Sequence, residues 1–410
     1  MSVRTALGVG ALLLGAATGL VGLVLIGLLW LTSDGLARLW SRHGLRNVRY
    51  RRAFANDRAI WGDRVGLEVS VENGKVLPLA WLRTDDFVTE GTVVAEQPII
   101  ATDRPGLGVL RNIWTLGPYE KVVRHFTMEA EHRGIHRFES VDLTVADLFG
   151  RGVASHEEKR PASLLVRPRT LPVRSASPHL FPLGSRAAHR GLLEDPALFA
   201  GVRPFQRGDP MRRIHQRASA RLGRPVSKRF DPSIARQSLL ALDLQTHNGP
   251  YWLLSYDENV VESLIVATAS LARRLLADGA ACGIAVNGWT YSRAQIGFVA
   301  PQAGRDQLAR IADLLGRVSS VPSVPYSRLM AAVPQRLPSG ALIVTISSRD
   351  TAPLVPALRR LRSSGFEVRH VAVGPLASSA VARARRFGID SSVAHLEPDW
   401  RSSDAVTLAS

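Results

Sequence analysis

Two apolar runs in the second half of the chain end in side chains that could take part in binding. QSLLAL is followed by Asp243, Gln245 and His247, and ALIVTIS ends in Ser347 and is followed by Ser348. Carboxylate and hydroxyl oxygens suit a hard cation, whereas a histidine nitrogen suits it poorly. An open α/β sheet binds its ligands beyond the carboxyl ends of its strands. We therefore predict that these five residues form a strand-end cleft.

The charges expected in this cleft disfavour a divalent cation. Asp243 is the one carboxylate that must lie near a strand end, because Asp350 stands further along the chain. Arg349, directly before Asp350, adds a positive charge that would repel a metal ion. We therefore expect no bound metal and no cofactor. Direct hydrogen bonds from the cleft to a partner protein remain an alternative.

Enzymatic alternatives find little support in the sequence. The chain has no G-x-S-x-G elbow, no Walker A loop and no glycine-rich dinucleotide fingerprint. Cys282 lies among small apolar residues, which indicates packing rather than nucleophilic chemistry. A hydrolytic site would have to join Asp209, His215, Asp243 and His247, and nothing in their spacing requires this. We expect a protein that is not an enzyme, with a metal-dependent hydrolase as the alternative.

A strongly basic segment precedes the first of these runs. Residues 203–230 hold nine Lys and Arg but one acid, Asp209, a local charge of +8 (9 − 1) in a chain whose net charge is +17. Asp209 could accept hydrogen bonds from its arginines and from turn amides, which would make the segment structural. Alternatively, the segment contacts an acidic protein or anionic lipid. Nucleic acid is not expected as a partner, because aromatic residues are few and no reader motif is present.

The same segment resembles the signature of a bacterial family called domain of unknown function 58. Gln216 stands where that family usually has Trp. A further match is the sequence Asp-Leu-Phe-Gly at 147–150. The matching positions that we take as partner-binding or structural are Arg203, Gly208, Asp209, Arg213, Ser219 and Arg221.

The elements that position these residues follow from the apolar pattern. Residues 46–173 alternate between apolar and polar and carry turn signals such as Asn73-Gly74, which predicts a β-sandwich domain. Residues 174–235 form a connector that includes the basic segment. Strands then alternate with helices over 236–400, which predicts an α/β domain with a doubly wound sheet. Asn287-Gly288 is expected to be a hairpin turn within it.

The amino terminus carries a candidate membrane anchor. Residues 7–31 contain no charge, and these 25 positions match one tilted transmembrane helix. The alternative, a cleaved signal peptide, has a shorter apolar core. Arginines are far more frequent after this segment than before it, which predicts one pass with the soluble domains in the cytoplasm. Gly15 and Gly19 form a GxxxG pattern that could support self-association.

The family resemblance implies a fold and a function beyond these patterns. It implies a von Willebrand factor A-like domain, in which a first strand ending in Asp-x-Ser-x-Ser binds a metal ion used for adhesion. Here Gln245 and His247 replace both serines, so the site is degenerate. The resemblance further implies an adaptor in the cell membrane that works with a MoxR-type AAA+ ATPase in assembling or remodelling other proteins. A surface adhesion module is a further alternative.

Overall fold

The computed structural model describes residues 3–146, 154–175, 199–206, 209–230, 237–253, 256–290, 294–350, 352–397 and 399–409. Gly208 of the basic segment and the sequence at 147–150 lie outside these ranges. The chain divides into two compact units, Met1–Arg167 and Pro168–Ser410. The predicted boundary at 173 falls instead inside the second unit, where Val173 begins a strand of its large sheet.

The first unit begins with a helical hairpin. Helix α1 spans Val3–Thr18 and helix α2 spans Val21–His43. The chain reverses at Gly19, whose φ of +69° is a conformation that glycine adopts without a steric penalty. Side chains added at Gly15 or Gly27 would lie 2.7 or 2.8 Å from the facing helix backbone, so both glycines allow α1 and α2 to pack closely.

This hairpin corrects the prediction of one continuous helix over 7–31. That segment carries no charge anywhere along its length, but the backbone reverses within it. Within the described residues, one helix is long and apolar enough to cross a membrane, Val21–Trp40, and Thr5–Thr18 is a shorter apolar helix. Gly15 and Gly19 both have roles inside one chain, and self-association through them stays a prediction.

The two ends of the hairpin meet at its base. Arg38 Nη2 donates to Thr5 Oγ1 at 2.6 Å and to Asp34 Oδ2 at 2.7 Å. The start of α1 therefore lies beside the end of α2. This corrects the expectation that the two flanks of the apolar segment lie on opposite sides of it.

The rest of the first unit consists of two sheets that share one core. Their strand orders are β1-β3-β8-β5 and β2-β10-β9-β4-β7-β6, and every pairing is antiparallel except that of β2 with β10. The core contains fully buried side chains from both sheets, among them Val69, Leu82, Trp114 and Phe138. The strands are β1 Val48–Phe54, β2 Arg58–Ile60, β3 Arg64–Asn73, β4 Leu79–Thr89, β5 Val93–Val94, β6 Ile100–Ala101, β7 Leu107–Leu116, β8 Lys121–Glu129, β9 Gly134–Ala146 and β10 Ala154–Arg167.

The second unit is mixed α/β, as its sequence pattern predicts. Its strands are β11 Val173–Ser175, β12 Phe199–Pro204, β13 Val226–Phe230, β14 Gln237–Leu242, β15 Ala281–Val286, β16 Gly297–Gln302, β17 Leu342–Ser347, β18 Glu367–Val373, β19 Asp390–His395 and β20 Val406–Ala409. Its helices are α3 Gln216–Leu222, α4 Glu258–Ala277, α5 Arg305–Arg317, α6 Tyr326–Ala332, α7 Val355–Ser363 and α8 Ala377–Arg386.

The large sheet places β14 at its centre. The strand order is β11-β20-β19-β18-β17-β14-β15-β16, and β14 pairs in parallel with β15 and with β17. Leu239 and Ala241 of β14 belong to a core cluster with residues of α6 and α7, whereas Leu240 and Leu242 alternate with them and are also fully buried. Both faces of β14 are therefore covered, which explains its continuous apolar sequence.

The basic segment forms a small element of its own. β12 pairs antiparallel with β13, and α3 packs on β13. His215 caps α3, because its Nδ1 accepts from the Ala218 N–H at 3.1 Å. Gly223 ends the helix with a left-handed φ of +64°.

Candidate functional site

The strand-end cleft lies where β14 and β17 end side by side. Asp243 follows the last residue of β14, its side chain is fully buried, and its N–H donates to the Ile346 carbonyl oxygen of β17 at 2.9 Å. Parallel strands present their carboxyl ends at the same edge, which brings Ser347 and Ser348 to this edge as well. The predicted meeting of the two strand ends is therefore observed.

A buried ion pair occupies the position where a cation was considered. Arg349 Nε donates to Asp243 Oδ2 at 2.7 Å, and the exposed fractions of the two side chains are 9% and 0%. The other carboxylate oxygen, Oδ1, accepts from Asn287 Nδ2 at 2.8 Å and from the Gln245 N–H at 3.2 Å. Burial raises the pKa of Asp243, and the Arg349 guanidinium and the Asn287 amide oppose that rise. The arginine provides the positive charge that a metal ion would otherwise supply.

Asn287 connects two strand ends, a role that the sequence did not suggest. Its Oδ1 accepts from the Leu244 N–H at 2.9 Å while its amide group donates to Asp243. The hairpin predicted around Asn287-Gly288 is confirmed, since β15 pairs antiparallel with β16, but its connection is longer than a tight turn because β15 ends at Val286 and β16 starts only at Gly297. The useful signal was its position, directly after a buried strand adjacent to β14.

Gln245 and His247 stabilise the loop after β14 instead of facing a shared ligand. Gln245 Nε2 donates to the Gly249 carbonyl oxygen at 2.5 Å. His247 Nδ1 accepts from the Gly249 N–H at 3.0 Å. Both side chains therefore organise the turn that follows Asp243.

The hydroxyls of Ser347 and Ser348 are buried and have no hydrogen-bond partner within the described part of the chain. Asp350 does not approach Asp243 but pairs with Arg383, with 3.0 Å between Oδ1 and Nε. Among the described residues, no group of three His, Cys, Asp or Glu side chains could hold a metal ion.

Exposed aromatic and apolar side chains lie in the segments that follow β14 and β15. The exposed fractions are 69% for Trp252, 51% for Leu253 and 44% for Tyr256, all in the loop after β14, and 47% for Trp289, which follows β15. The Tyr251 and Trp252 rings make an edge-to-face contact with 5.2 Å between centroids. We call Trp252, Leu253, Tyr256 and Trp289 the aromatic rim. The periodicity of the sequence does not single out this rim, although the run YWLLSY at 251–256 is a usable signal.

In the basic segment, Asp209 ties both strands of the small element together. Its carboxylate pairs with Arg203 through contacts of 2.5 and 2.9 Å, and it accepts from the Gln206 N–H at 3.0 Å and the Ser227 hydroxyl at 2.9 Å. These bonds, the Arg203 bond foremost, lower the pKa of Asp209 to about 2. They favour the structural interpretation of this acid.

The other signature residues have different surroundings. Ser219 Oγ accepts from the Val226 N–H at 3.0 Å and so joins α3 to β13. Arg221 is exposed in the last turn of α3, and Arg213 is half-buried. Arg203, Asp209 and Ser219 therefore hold the small element together. Asp243, Asn287 and Arg349 instead connect strand ends at the edge of the large sheet.

No protein-family model matches the chain. The uncharacterized protein YeaD of Bacillus subtilis is 25% identical over 257 residues, which are 61% of this chain and 58% of that protein. The chain thus matches less than two thirds of the length of this curated relative.

Two solved structures resemble less than a third of the chain. The CARDB domain of PF1109 from Pyrococcus furiosus is 16% identical, with a TM-score of 0.19, and the match covers 29% of this chain and 92% of that domain. A cohesin module from Clostridium perfringens is 11% identical, with a TM-score of 0.21 and coverage of 29% and 98%.

Proposed function

We propose that the chain is a membrane-tethered adaptor that binds other proteins through the edge of its large sheet and is not an enzyme. The observation that carries this proposal is the buried pair between Asp243 and Arg349. Asp243 already has a cation and two further donors, so a metal ion would have to displace Arg349 to reach it. Adhesion through a bridging metal and metal-dependent hydrolysis are both disfavoured for this reason.

The architecture that we propose for the second unit is a von Willebrand factor A-like, doubly wound sheet. The order β16-β15-β14-β17-β18-β19, with β16 antiparallel at its edge, supports this assignment. For the first unit we propose a β-sandwich, supported by two largely antiparallel sheets with a common core. Membership of the domain of unknown function 58 family is likewise a proposal that rests on the signature residues.

The aromatic rim is the contact surface that we propose for a partner. Aromatic side chains are enriched at the centres of protein interfaces, because they bury large areas with little loss of conformational freedom. Three exposed aromatic side chains, together with Leu253, follow the strands whose ends are joined by the hydrogen bonds of Asp243, Asn287 and Arg349. We propose a MoxR-type AAA+ ATPase as the partner, in the assembly or remodelling of other proteins.

The hairpin of α1 and α2 is the tether in this proposal. Its candidate span of 20 residues, Val21–Trp40, is about 30 Å long, the thickness of the hydrocarbon core, and carries the ion-paired Asp34 and Arg38 at its base end. The base of the hairpin carries Arg38, Arg42 and Arg46, so positive-inside placement puts this end and both soluble units in the cytoplasm.

Affinity purification of the full chain from native membranes tests the proposal. We expect an AAA+ ATPase to co-purify with the wild-type chain and to be lost with the double variant Trp252→Ala, Trp289→Ala. The matched control is Phe387→Ala, since this side chain is 40% exposed and follows α8, before the start of β19 at the opposite edge of the sheet. Equal recovery with the double variant and with this control would exclude the rim as the contact surface. Turnover of a substrate that depends on added metal would favour the hydrolase instead.

A further inference from the structure

Two loops of the first unit expose apolar side chains at their tips. The loops at 74–78 and 117–120, here called the loop pair, present Val76 and Tyr119, whose exposed fractions are 67% and 69%. Pro78 and Pro118 are exposed beside them. Tyr119 has a φ of +55°, which is unusual for a residue with a side chain and indicates that its surroundings hold it in place.

A buried amide makes the loop pair rigid. Asn73 is fully buried, and its Nδ2 donates to the carbonyl oxygens of Leu77 at 3.0 Å and Gly117 at 2.7 Å, one in each loop. The Tyr119 N–H donates to the Lys75 carbonyl oxygen at 3.2 Å. Val76 and Tyr119 are therefore presented together on a fixed support, not on independent loops.

The loop pair lies beside the base of the hairpin. The Gly74 N–H donates to the Asn47 carbonyl oxygen at 2.9 Å, and Asn47 lies in the turn that directly follows α2. The end of α2 is itself fixed to the sheet, because Trp40 is buried and Gly44 packs against Val145. The position of the loop pair relative to the end of α2 is thus set by direct contacts.

The depth of these loops follows from the length of the span. The candidate span ends at Trp40, with the ion-paired Asp34 and Arg38 in its last two turns, and the helix continues to His43, about 5 Å further along its axis. The headgroup region on each side of the hydrocarbon core is about 5–8 Å thick. The turn at Asn47, and the loops bonded to it, therefore lie at the level of the headgroups when α2 spans the bilayer.

We propose that Val76 and Tyr119 insert into the lipid headgroup region next to the hairpin and hold the first unit against the bilayer. This inference rests on the proposed membrane tether. Tyrosine suits this depth, since its ring is apolar and its hydroxyl stays hydrated. Lys75 Nζ donates to Asn73 Oδ1 at 3.0 Å, and its ammonium has further N–H donors that can pair with lipid phosphate. The one acid in the loop pair, Glu120, already accepts a hydrogen bond from the Gly117 N–H, at 2.5 Å.

Cysteine labelling of the full chain in lipid nanodiscs tests this proposal. The single native cysteine, Cys282, is fully buried, so an environment-sensitive fluorophore can be directed to introduced cysteines. The test variants are Val76→Cys and Tyr119→Cys, with Pro118→Cys as a replacement if the strained Tyr119 position does not tolerate the change. The control is Asp103→Cys. Residue 103 precedes β7 and Gly117 follows it, so the control lies at the other end of this strand, about 30 Å from the loop pair. Leu29→Cys, 72% exposed on α2, reports on the tether itself.

Each probe is measured with a quencher attached to lipid headgroups and with aqueous iodide. We expect the lipid quencher to act severalfold more strongly at 76 and 119 than at 103, and iodide to act in the opposite order. A quencher placed deep in the acyl chains should act at 29. If the probe at position 29 is quenched but the probes at 76 and 119 are quenched no more than the control at 103, the contact of the loop pair with lipid is excluded and the tether is retained. Absence of deep quenching at 29 overturns the tether and this inference together.

Discussion

Arg349 and Asp243 form a buried ion pair although they lie 106 positions apart in the chain, with Nε and Oδ2 separated by 2.7 Å. The pair exists because β14 and β17 are neighbours and end at the same edge. Both charges lose water on folding, and each depends on the other for compensation.

Removing the arginine should therefore destabilise the second unit strongly. We expect Arg349→Met to lower the free energy of unfolding by about 3–5 kcal/mol, since it leaves a buried carboxylate without its cation. The measurement is chemical denaturation of the full chain in detergent. The double variant Asp243→Asn, Arg349→Met should recover part of the loss, because it removes both charges. Equal stability of Arg349→Met and the wild type would show that the pair contributes nothing.

The same pair should keep divalent metals out of the cleft. Calorimetry of the full chain with Mg²⁺ and Mn²⁺ should give no binding tighter than about 1 mM, because a hard cation needs several converging oxygens and here meets a guanidinium. Micromolar binding that disappears in Asp243→Ala would contradict this and restore a metal-bridged mechanism.

Asp86 should make the stability of the first unit depend on pH. Burial raises its pKa from 3.8 to about 6, and Arg52 and Tyr50 oppose that rise. Because the folded-state pKa is higher than the unfolded one, the folded state binds more protons, and stability falls as the pH rises from about 4 to about 6.

Comparison with Asp86→Asn isolates this effect, since the amide does not titrate. The stability of the wild type relative to this variant should decline over the same pH window, by at most about 3 kcal/mol, and stay constant above it. A constant difference from pH 4 to pH 7 would mean that Asp86 ionises normally in the folded protein.

Close packing of the hairpin should depend on Gly15. A side chain there would meet the backbone and side chain of Val24, at 2.7 and 2.9 Å, whereas nothing lies within 4 Å of a side chain added at Gly10. We expect Gly15→Leu to separate α1 from α2 and Gly10→Leu to leave them packed. Hydrogen exchange of α1 in nanodiscs should rise in the first variant alone. Equal protection in both would place the α1 contact elsewhere.

Local patterns in the sequence were enough to predict much of the second unit. The alternation of strands and helices after Gln237 is confirmed, because apolar periodicity depends only on neighbouring residues and on which face each element buries. The position of Asp243 at a strand end followed from the same pattern. The reversal at Gly19 did not, because an apolar run has the same hydropathy whether it continues as one helix or folds back on itself.

Contacts between distant residues were decided by the tertiary structure alone. Arg349 was recognised as a charge unfavourable to metals, but only the pairing of β14 with β17 makes it the partner of Asp243. Asn287 carried the pattern of a hairpin turn, and only the neighbouring position of β15 gives it a role at the cleft. The sequence specifies the chemistry of each side chain. The strand order decides which charged groups become neighbours and neutralise one another, and this order is set by the packing of the whole sheet.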